Sequence, residues 1–556
     1  MQTFRFLLAV VLMIAVMVIT NILLPAPRRT PPPPSPADSA AVDSQAQPAQ
    51  PAPALPQRAD SLRAPVDTAR SAAVLGDTIA VTSPLYRYAF STVGGSLVSA
   101  RMLRYPSLAA ERKGQPAELV PTGSHALLDY HLRIGERDVD ISGLPFTPEP
   151  AGGITLAESD SAATLRLVHQ GPDFAVRLEY TFTPGNYFFD VRGQVLGAGD
   201  ESLQLLIGLG PRLAVNEADT TFEARQRGFV VNNPSGDGIR GTLLRNLKAE
   251  TIEEGPFTWV AIKSKYFAAG VLKASPNSRD FGGVIASPTN TGADLTVTLS
   301  PGSDGRFAFR TYAGPQEQSQ LSAAGEDFKD VNPFGWRWFR PILRPLGHAI
   351  TWALYGMHDL FGLGYGWVLI LFGIIVRLAL WPLNASAMRS QMKNMEIQPK
   401  LKEIQTRYKN DPEKLQKEML RLYREENFRP MSGCLPMLAP MPILLTLFFV
   451  FQNTIAFRGV EFLWLPDLSR ADPLYILPIL LGASMFAMSW FSMRTTPQNN
   501  PQAKMMMYFM PIFMTVIFLN FASGLNLYYA AQNIASIPQQ LVLNAERKRI
   551  MARKKA

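Results

Sequence analysis

Five long apolar runs, one at the amino terminus and four in the last third, constrain this chain more than any other feature. The first, residues 6–24, follows Arg5 and is close to the ~20 residues a helix needs to cross a ~30 Å hydrocarbon layer. The others, 364–383, 435–457, 473–493 and 505–543, come after a gap of more than three hundred residues. The last is about twice one crossing and is interrupted at Ala522-Ser523-Gly524, so it reads as two short spans joined in a hairpin. The chain is 47% hydrophobic and only 18% charged. That composition excludes a disordered protein, and its uneven distribution excludes a single soluble domain. A cleaved signal peptide competes for 6–24, but its apolar region would be only ~7–15 residues long with a small-x-small site. The sequence after Asn21 offers no such site, so an uncleaved anchor over 1–24 is expected.

Charge orients the spans, because Lys and Arg flanking membrane helices stay in the cytoplasm. Residues 385–430 carry 11 Lys and Arg against 7 acids, 494–504 two more positive charges, and 544–556 six positive against one negative. Residues 25–333 carry 28 basic and 33 acidic residues. The net charge of +9 therefore follows topology, not a nucleic-acid footprint. The expectation is six spans, both termini cytoplasmic and 25–333 outside.

Eleven prolines between Pro25 and Pro56 mark 25–75 as an extended linker that cannot bury enough apolar surface to fold. Over 76–330 the pattern is strand-like. Thr164-Leu-Arg-Leu-Val-His169, Ala175-Val-Arg-Leu-Glu-Tyr-Thr-Phe182, Leu295-Thr-Val-Thr-Leu299 and Arg306-Phe-Ala-Phe-Arg310 alternate at period two between turn residues, which predicts an all-β sandwich. His125, His131 and His169 have no metal-ligand spacing, and no nucleophile elbow or phosphate-binding glycine loop is present. The single cysteine, Cys434, excludes an intramolecular disulfide, a C-x-x-C redox pair, a Cys-based zinc site and an N-terminal lipoprotein anchor; it reads as a packed small residue near the start of its span. No catalytic residue, metal or cofactor is expected.

Residues 331–363 mix Trp336, Trp338 and Phe339 with Arg337, Arg340 and Arg344, a combination suited to the headgroup boundary. They read as an interfacial amphipathic helix, the alternative being a tilted extension of the next span. Within that span Arg377 has apolar neighbours on both sides, and a charge near the bilayer centre costs about 2.5–3.5 kcal/mol. It either faces a hydrated cavity or snorkels to the cytoplasmic interface.

Ile374-Ile-Val-Arg-x-x-x-Trp-Pro-Leu383, Gln398-Pro-Lys-Leu, Met431-Ser-Gly-Cys-Leu-Pro-Met437, Pro473-Leu-Tyr-Ile-Leu-Pro-Ile-Leu480, and Pro511 through Ser523-Gly-Leu-Asn-Leu-Tyr-Tyr529 together resemble the YidC/Oxa/Alb family of membrane protein insertases. The resemblance is strongest over 330–545. Trp259, Lys265-Tyr-Phe267 and Tyr312-Ala-Gly-Pro315 extend it outward to the form with a large periplasmic β-sandwich. It implies an α-helical membrane core, 364–543, with a groove open to cytoplasm and lipid in which Arg377 attracts the acidic or polar tail of a nascent membrane protein. It also implies that Tyr528 and Tyr529 line that groove, although as isolated residues they equally suit interhelical packing. Gln452, Asn526 and Gln532 are candidates by span position only. Gram-negative members often carry a threonine one turn before the arginine; here that residue is Gly373, so a hydroxyl contact from it to Tyr529 is not implied.

Between the spans, 385–430 reads as a cytoplasmic helical hairpin. Ile397, Leu401, Ile404 and Tyr408 form one apolar stripe, and Leu415, Met419 and Leu422 form another. Asp411 is the expected N-cap and Pro412 the first helical residue. The other faces read as solvated surface, while the resemblance implies contact with the ribosome, including its RNA, the signal recognition particle receptor or the Sec translocon through this hairpin and the basic tail, 544–556. Fifteen of the 21 methionines lie between Met388 and Met514, which fits either a substrate slide or ordinary helix packing. Two other function classes compete: a solute transporter or channel built on the intramembrane arginine, and an external sugar-binding domain on a membrane anchor. The first lacks evident repeats, and the second leaves the C-terminal third unexplained.

Overall fold

The computed structural model describes residues 76–382 apart from 124–125, 198–200, 326, 333–334 and 336–338, then 385, 397, 400–425 apart from 410, 441–494 and 501–555. The expected anchor and linker, together with His125, Trp336, Arg337, Trp338 and Cys434, lie outside the described residues.

Residues 78–315 form three sheets of nine, six and five strands around one apolar core. The nine-stranded sheet includes, in spatial order, Trp259–Lys263, Phe267–Lys273, Arg306–Pro315, Phe188–Leu196, Ala175–Phe182 and Ala163–Gln170. The period-two reading holds residue by residue. In Ala175–Phe182, Val176, Leu178, Tyr180 and Phe182 are buried while Arg177 is exposed and Glu179 half-buried. Tyr86 and Tyr88 stack at 4.0 Å, and Phe90 packs edge-on against Phe182 and Phe189. The motif residues at the end of this domain lock its last strand: Gln316 donates from Nε2 to the carbonyls of Ser264 and Phe267, and the Tyr312 hydroxyl donates to the Pro315 carbonyl. Trp259 is fully buried and meets Phe328 edge-on at 5.1 Å.

Two short helices, α1 (Thr220–Gln226) and α2 (Gln318–Ala323), belong to this domain. Helices α3 (Arg340–Phe361), α4 (Tyr365–Ala379), α5 (Pro412–Glu425), α6 (Met441–Asn453), α7 (Ile476–Arg494), α8 (Pro501–Phe518) and α9 (Ser523–Lys555) follow. The first turns of α3 are tied to the sandwich: Arg344 pairs with Asp327 at 2.9 Å and with Asp330, and Arg340 donates to the Ile239 carbonyl at 2.7 Å. Gly362 ends α3 with φ of +62° and donates to the His358 carbonyl, a left-handed cap that favours glycine. The chain turns there through 119°, so α3 is not a straight extension of α4. Among the described residues no single helix is long and apolar enough to cross a membrane; α3 and α4 meet that test only together.

Helix α9 packs along α4 and α7, α8 along α7, and α3 along α6. Val368, Leu369, Phe372, Phe451, Leu481 and Leu525 belong to the shared core. Apolar side chains also point outward, among them Trp352, Trp367, Leu378, Ile479, Ile512, Val516, Ile534 and Leu541. Outward apolar side chains in this number suit lipid, not water. The break between α8 and α9 falls where the sequence interrupts, at residues 519–522.

Candidate functional site

Arg377 lies near the C-terminal end of α4, half-buried. Its Nε is buried and has no hydrogen-bond acceptor among the described residues. The neighbouring helices offer it no carboxylate: α4, α6, α7 and α8 contain no Asp or Glu, and α9 has none before Glu546. A guanidinium among apolar helices without an internal counter-charge is the arrangement that intramembrane functional sites show.

The α4–α9 contact sets the level of this arginine. At Gly373, one turn earlier, a Cβ would lie 3.0 Å from the Tyr528 carbonyl oxygen and 3.5 Å from the Ala531 Cβ. Beyond the arginine, Gln539 Nε2 donates to the Trp381 carbonyl at 3.3 Å. Arg377 therefore sits opposite the stretch 531–539 of α9, where Gln532 is half-buried. Asn526 and Gln452 lie towards the other end of the bundle. Asn526 is fully buried and donates from Nδ2 to the Phe518 carbonyl, capping α8 across the turn into α9; Gln452 is half-buried near the end of α6. Tyr528 is 1% exposed and packs against Phe372 and Phe451, while Tyr529 is half-buried, edge-on to Phe518, with an unpartnered hydroxyl.

Polar side chains that hydropathy showed only as interruptions prove to join the helices. Asn533 donates to Ser484 Oγ at 3.0 Å and Ser536 to Met488 Sδ at 3.3 Å, both on α7. Hydrogen bonds of this kind hold helices together where lipid provides no hydrophobic drive.

In the segment that the sequence reads as a hairpin, Ile397 and Leu422 are buried, and Leu401, Ile404, Tyr408, Leu415 and Met419 are half-buried. Asp411 Oδ1 accepts from the Lys414 amide at 3.1 Å, capping α5 at Pro412. This bond holds the Asp411 carboxyl below the usual carboxylate range.

One contact had no sequence signal. Arg458, in the loop between α6 and α7, enters the sandwich with its side chain 2% exposed. Nε donates to Glu217 at 2.7 Å, Nη1 to the Pro106 carbonyl at 2.6 Å and Nη2 to the Asn216 carbonyl at 2.9 Å. The guanidinium also lies 5.4 Å from the centre of the Phe267 ring. Burial raises the carboxyl of Glu217 above its ordinary range despite this pairing, and raises that of Glu223 beside it to about 7. Lys265, stacked over Phe222 and Tyr266, is lowered by burial to about 8. The same loop supports the α8–α9 turn, where Ser523 donates to the Asp467 carbonyl at 3.0 Å and the Gly524 amide to that of Leu468 at 2.8 Å. The turn and the sandwich therefore share one end of the bundle.

Two family models match the chain in tandem: "YidC periplasmic domain" over 78–347 and "60Kd inner membrane protein" over 356–550. The membrane protein insertase YidC of Herminiimonas arsenicoxydans is 30% identical over 519 residues, covering 85% of this chain and 84% of that protein. This chain belongs to the YidC family. The YidC insertase of Syntrophus aciditrophicus strain SB is 29% identical over 97% of this chain and 99% of that protein. A crystal structure of active YidC insertase with its first transmembrane domain resolved covers 84% of this chain and 92% of its own, at 19% identity and a TM-score of 0.32. The seam between the two YidC models, 348–355, falls inside α3, the helix pinned to the sandwich at one end and turned into the bundle at the other. The periplasmic β-sandwich and the α-helical C-terminal part expected from sequence are those of a YidC protein.

Proposed function

We propose that this protein is an inner-membrane insertase that carries nascent membrane proteins into the bilayer through a groove organised around Arg377. The observation that carries the reading is the half-buried guanidinium with no counter-charge on any neighbouring apolar helix. Such a charge lowers the barrier for the acidic or polar tail of a client, and the client's apolar segment then leaves along the outward faces of the helices. Burial of apolar area, at ~25 cal/mol per Å², drives that exit without nucleotide. Gln532 and Tyr529 belong to the groove wall in this scheme, Tyr528 backs it, and Asn526 and Gln452 serve its outer end.

The proposed topology has six spans, both termini cytoplasmic and 25–333 periplasmic. It is supported by the Arg458 contact, which puts the α6–α7 loop on the sandwich side, and by the charge of 385–430. The proposed partners are the Sec translocon, the ribosome and the signal recognition particle receptor, met through the hairpin and the tail 544–556.

The test is protease protection of a single-span client with an acidic translocated tail, added to liposomes holding only this protein. Protection above empty liposomes is expected, and Arg377→Ala should reduce it at least several-fold while Arg377→Lys retains most. Equal insertion by Arg377→Ala for every such client would remove the electrostatic mechanism.

A further inference from the structure

A cleft of about 650 Å³ opens on the sandwich, far in sequence from every residue assigned above to the groove. Its walls carry Arg177, Arg192, Arg279 and Arg306, with Glu179 as the one carboxylate. Strand register explains the grouping. Arg177 lies opposite Gln194, Gln194 opposite Arg306, and Arg192 stands two residues before Gln194 on the same strand face. Cross-strand neighbours on one face are roughly 5–8 Å apart, and like charges at that spacing oppose one another.

The cleft does not neutralise itself. Glu179 stands opposite Arg192 in the strand register, but its carboxylate is taken by Arg166 at 3.1 Å. The Nη1 of Arg279 is fixed by the carbonyls of Ser300 and Pro301, at 3.3 and 2.7 Å, which orient the guanidinium without cancelling its charge. Arg306 has Asp304 at 3.6 Å. Among the described residues, Arg177 and Arg192 have no hydrogen-bond or ion-pair partner. Elsewhere on the domain, arginines such as Arg133, Arg137, Arg240 and Arg310 are each matched to a carboxylate. Residues 25–333 are acidic in sum, so this concentration of positive charge is an exception to its surroundings. The chain's own linker is a poor occupant, because 25–75 has five basic residues and four acidic ones.

We propose that this cleft receives acidic, extended segments of translocated polypeptide after they emerge on the sandwich side. The inference rests on the insertase reading, which sends acidic tails to that side, and on the match between forked guanidinium groups and carboxylates. A volume of this size lies within the range of preformed ligand sites. The cleft would hold an emerged tail against back-sliding by charge alone, without sequence specificity.

Rhodamine-labelled hexaglutamate, titrated against the full-length protein in neutral-lipid nanodiscs and followed by fluorescence anisotropy, tests this. Saturable binding that weakens with added salt is expected. Arg177→Gln with Arg192→Gln should weaken it at least tenfold, the corresponding double lysine variant should keep most of it, and hexaglutamine should not bind. Arg377→Ala should bind hexaglutamate like the wild type while losing insertion in the liposome assay, which separates this site from the groove. Unchanged affinity in the double glutamine variant overturns the proposal, as does arginine-dependent binding of anionic phospholipid vesicles with no binding of hexaglutamate, which would assign the cleft to headgroup phosphate. Insertion without hexaglutamate binding sinks this inference alone, whereas binding without insertion sinks the insertase reading and leaves a bare acidic-peptide site.

Discussion

Two arginines of this chain stand in opposite circumstances. Arg458 spends its guanidinium on one carboxylate, two carbonyls and an aromatic ring, whereas Arg377 Nε has no hydrogen-bond partner among the described residues. Removing one member of a buried ion pair costs roughly 3–5 kcal/mol, because the other is left unpaired. Arg458→Met should therefore lower the unfolding temperature of the sandwich in detergent, and Glu217→Gln added to it should recover part of the loss, giving a measurable coupling in a double-mutant cycle. Glu223 makes a pH prediction. Its folded-state value of about 7 lies above the ordinary 4.5, so the native state holds the extra proton between those limits and stability falls as pH rises through them. A series of thermal melts from pH 4.5 to 7 should show that decline, and Glu223→Gln should flatten it. Arg377 was legible in sequence because its contrast with its neighbours is one-dimensional. Arg458 was not, because its carboxylate partner is 241 residues away and nothing local marks either residue.

Helices and strands differ in how much of their arrangement the sequence reveals. Alternation in Ala163–Gln170 or Ala175–Phe182 gives both the strand and its inward face, yet the order of strands in the nine-stranded sheet depends on pairings between residues more than a hundred positions apart, such as Phe188 with Tyr312. The break at Ser523 was visible as small residues, but the 119° turn after α3 was not, since a cap glycine does not state an angle. Close helix approach was equally hidden. At Gly373 an added side chain meets the Tyr528 backbone, so Gly373→Leu should separate α4 from α9, destabilise the bundle by about 1–3 kcal/mol and abolish insertion, with melting temperature and client protection as the readouts. Helix α3 offers a different test. Trp352 is 78% exposed, which is a strange position for an indole in water and a natural one at a lipid interface. Brominated lipids should quench the wild type more than Trp352→Phe, and equal quenching would take α3 off the bilayer.

At the scale of the molecule, sandwich and bundle have separate apolar cores that meet mainly through polar contacts. Ile455 is the one residue of the α6–α7 loop counted in the sandwich core. Deleting 80–315 should thus leave the bundle folded if Arg458 is changed to Gln in the same variant. Insertion of a small client should then fall by no more than a few-fold, whereas loss of the bundle's cooperative melt would mean the sandwich is part of its fold. The two-part division was legible, because the apolar runs and the strand-like alternation each extend over long stretches. The way the parts are fastened was not, because a fastening needs only a few residues.

The Arg458 contact also has a history in time. Glu217 leaves the ribosome 241 residues before Arg458, an interval of roughly 10–50 s at ordinary synthesis rates of about 5–20 residues per second. On the proposed topology the sandwich, whose last strand ends at Pro315, is complete roughly 7–30 s before Arg458 is made, and folds outside before the α6–α7 loop exists. Through that interval the Glu217 carboxylate and the Pro106 and Asn216 carbonyls wait without their guanidinium. When the loop arrives on the correct side, the arginine enters and closes the pair. A loop left on the wrong side finds no such pocket, so the ion pair distinguishes a finished insertase from a half-threaded one.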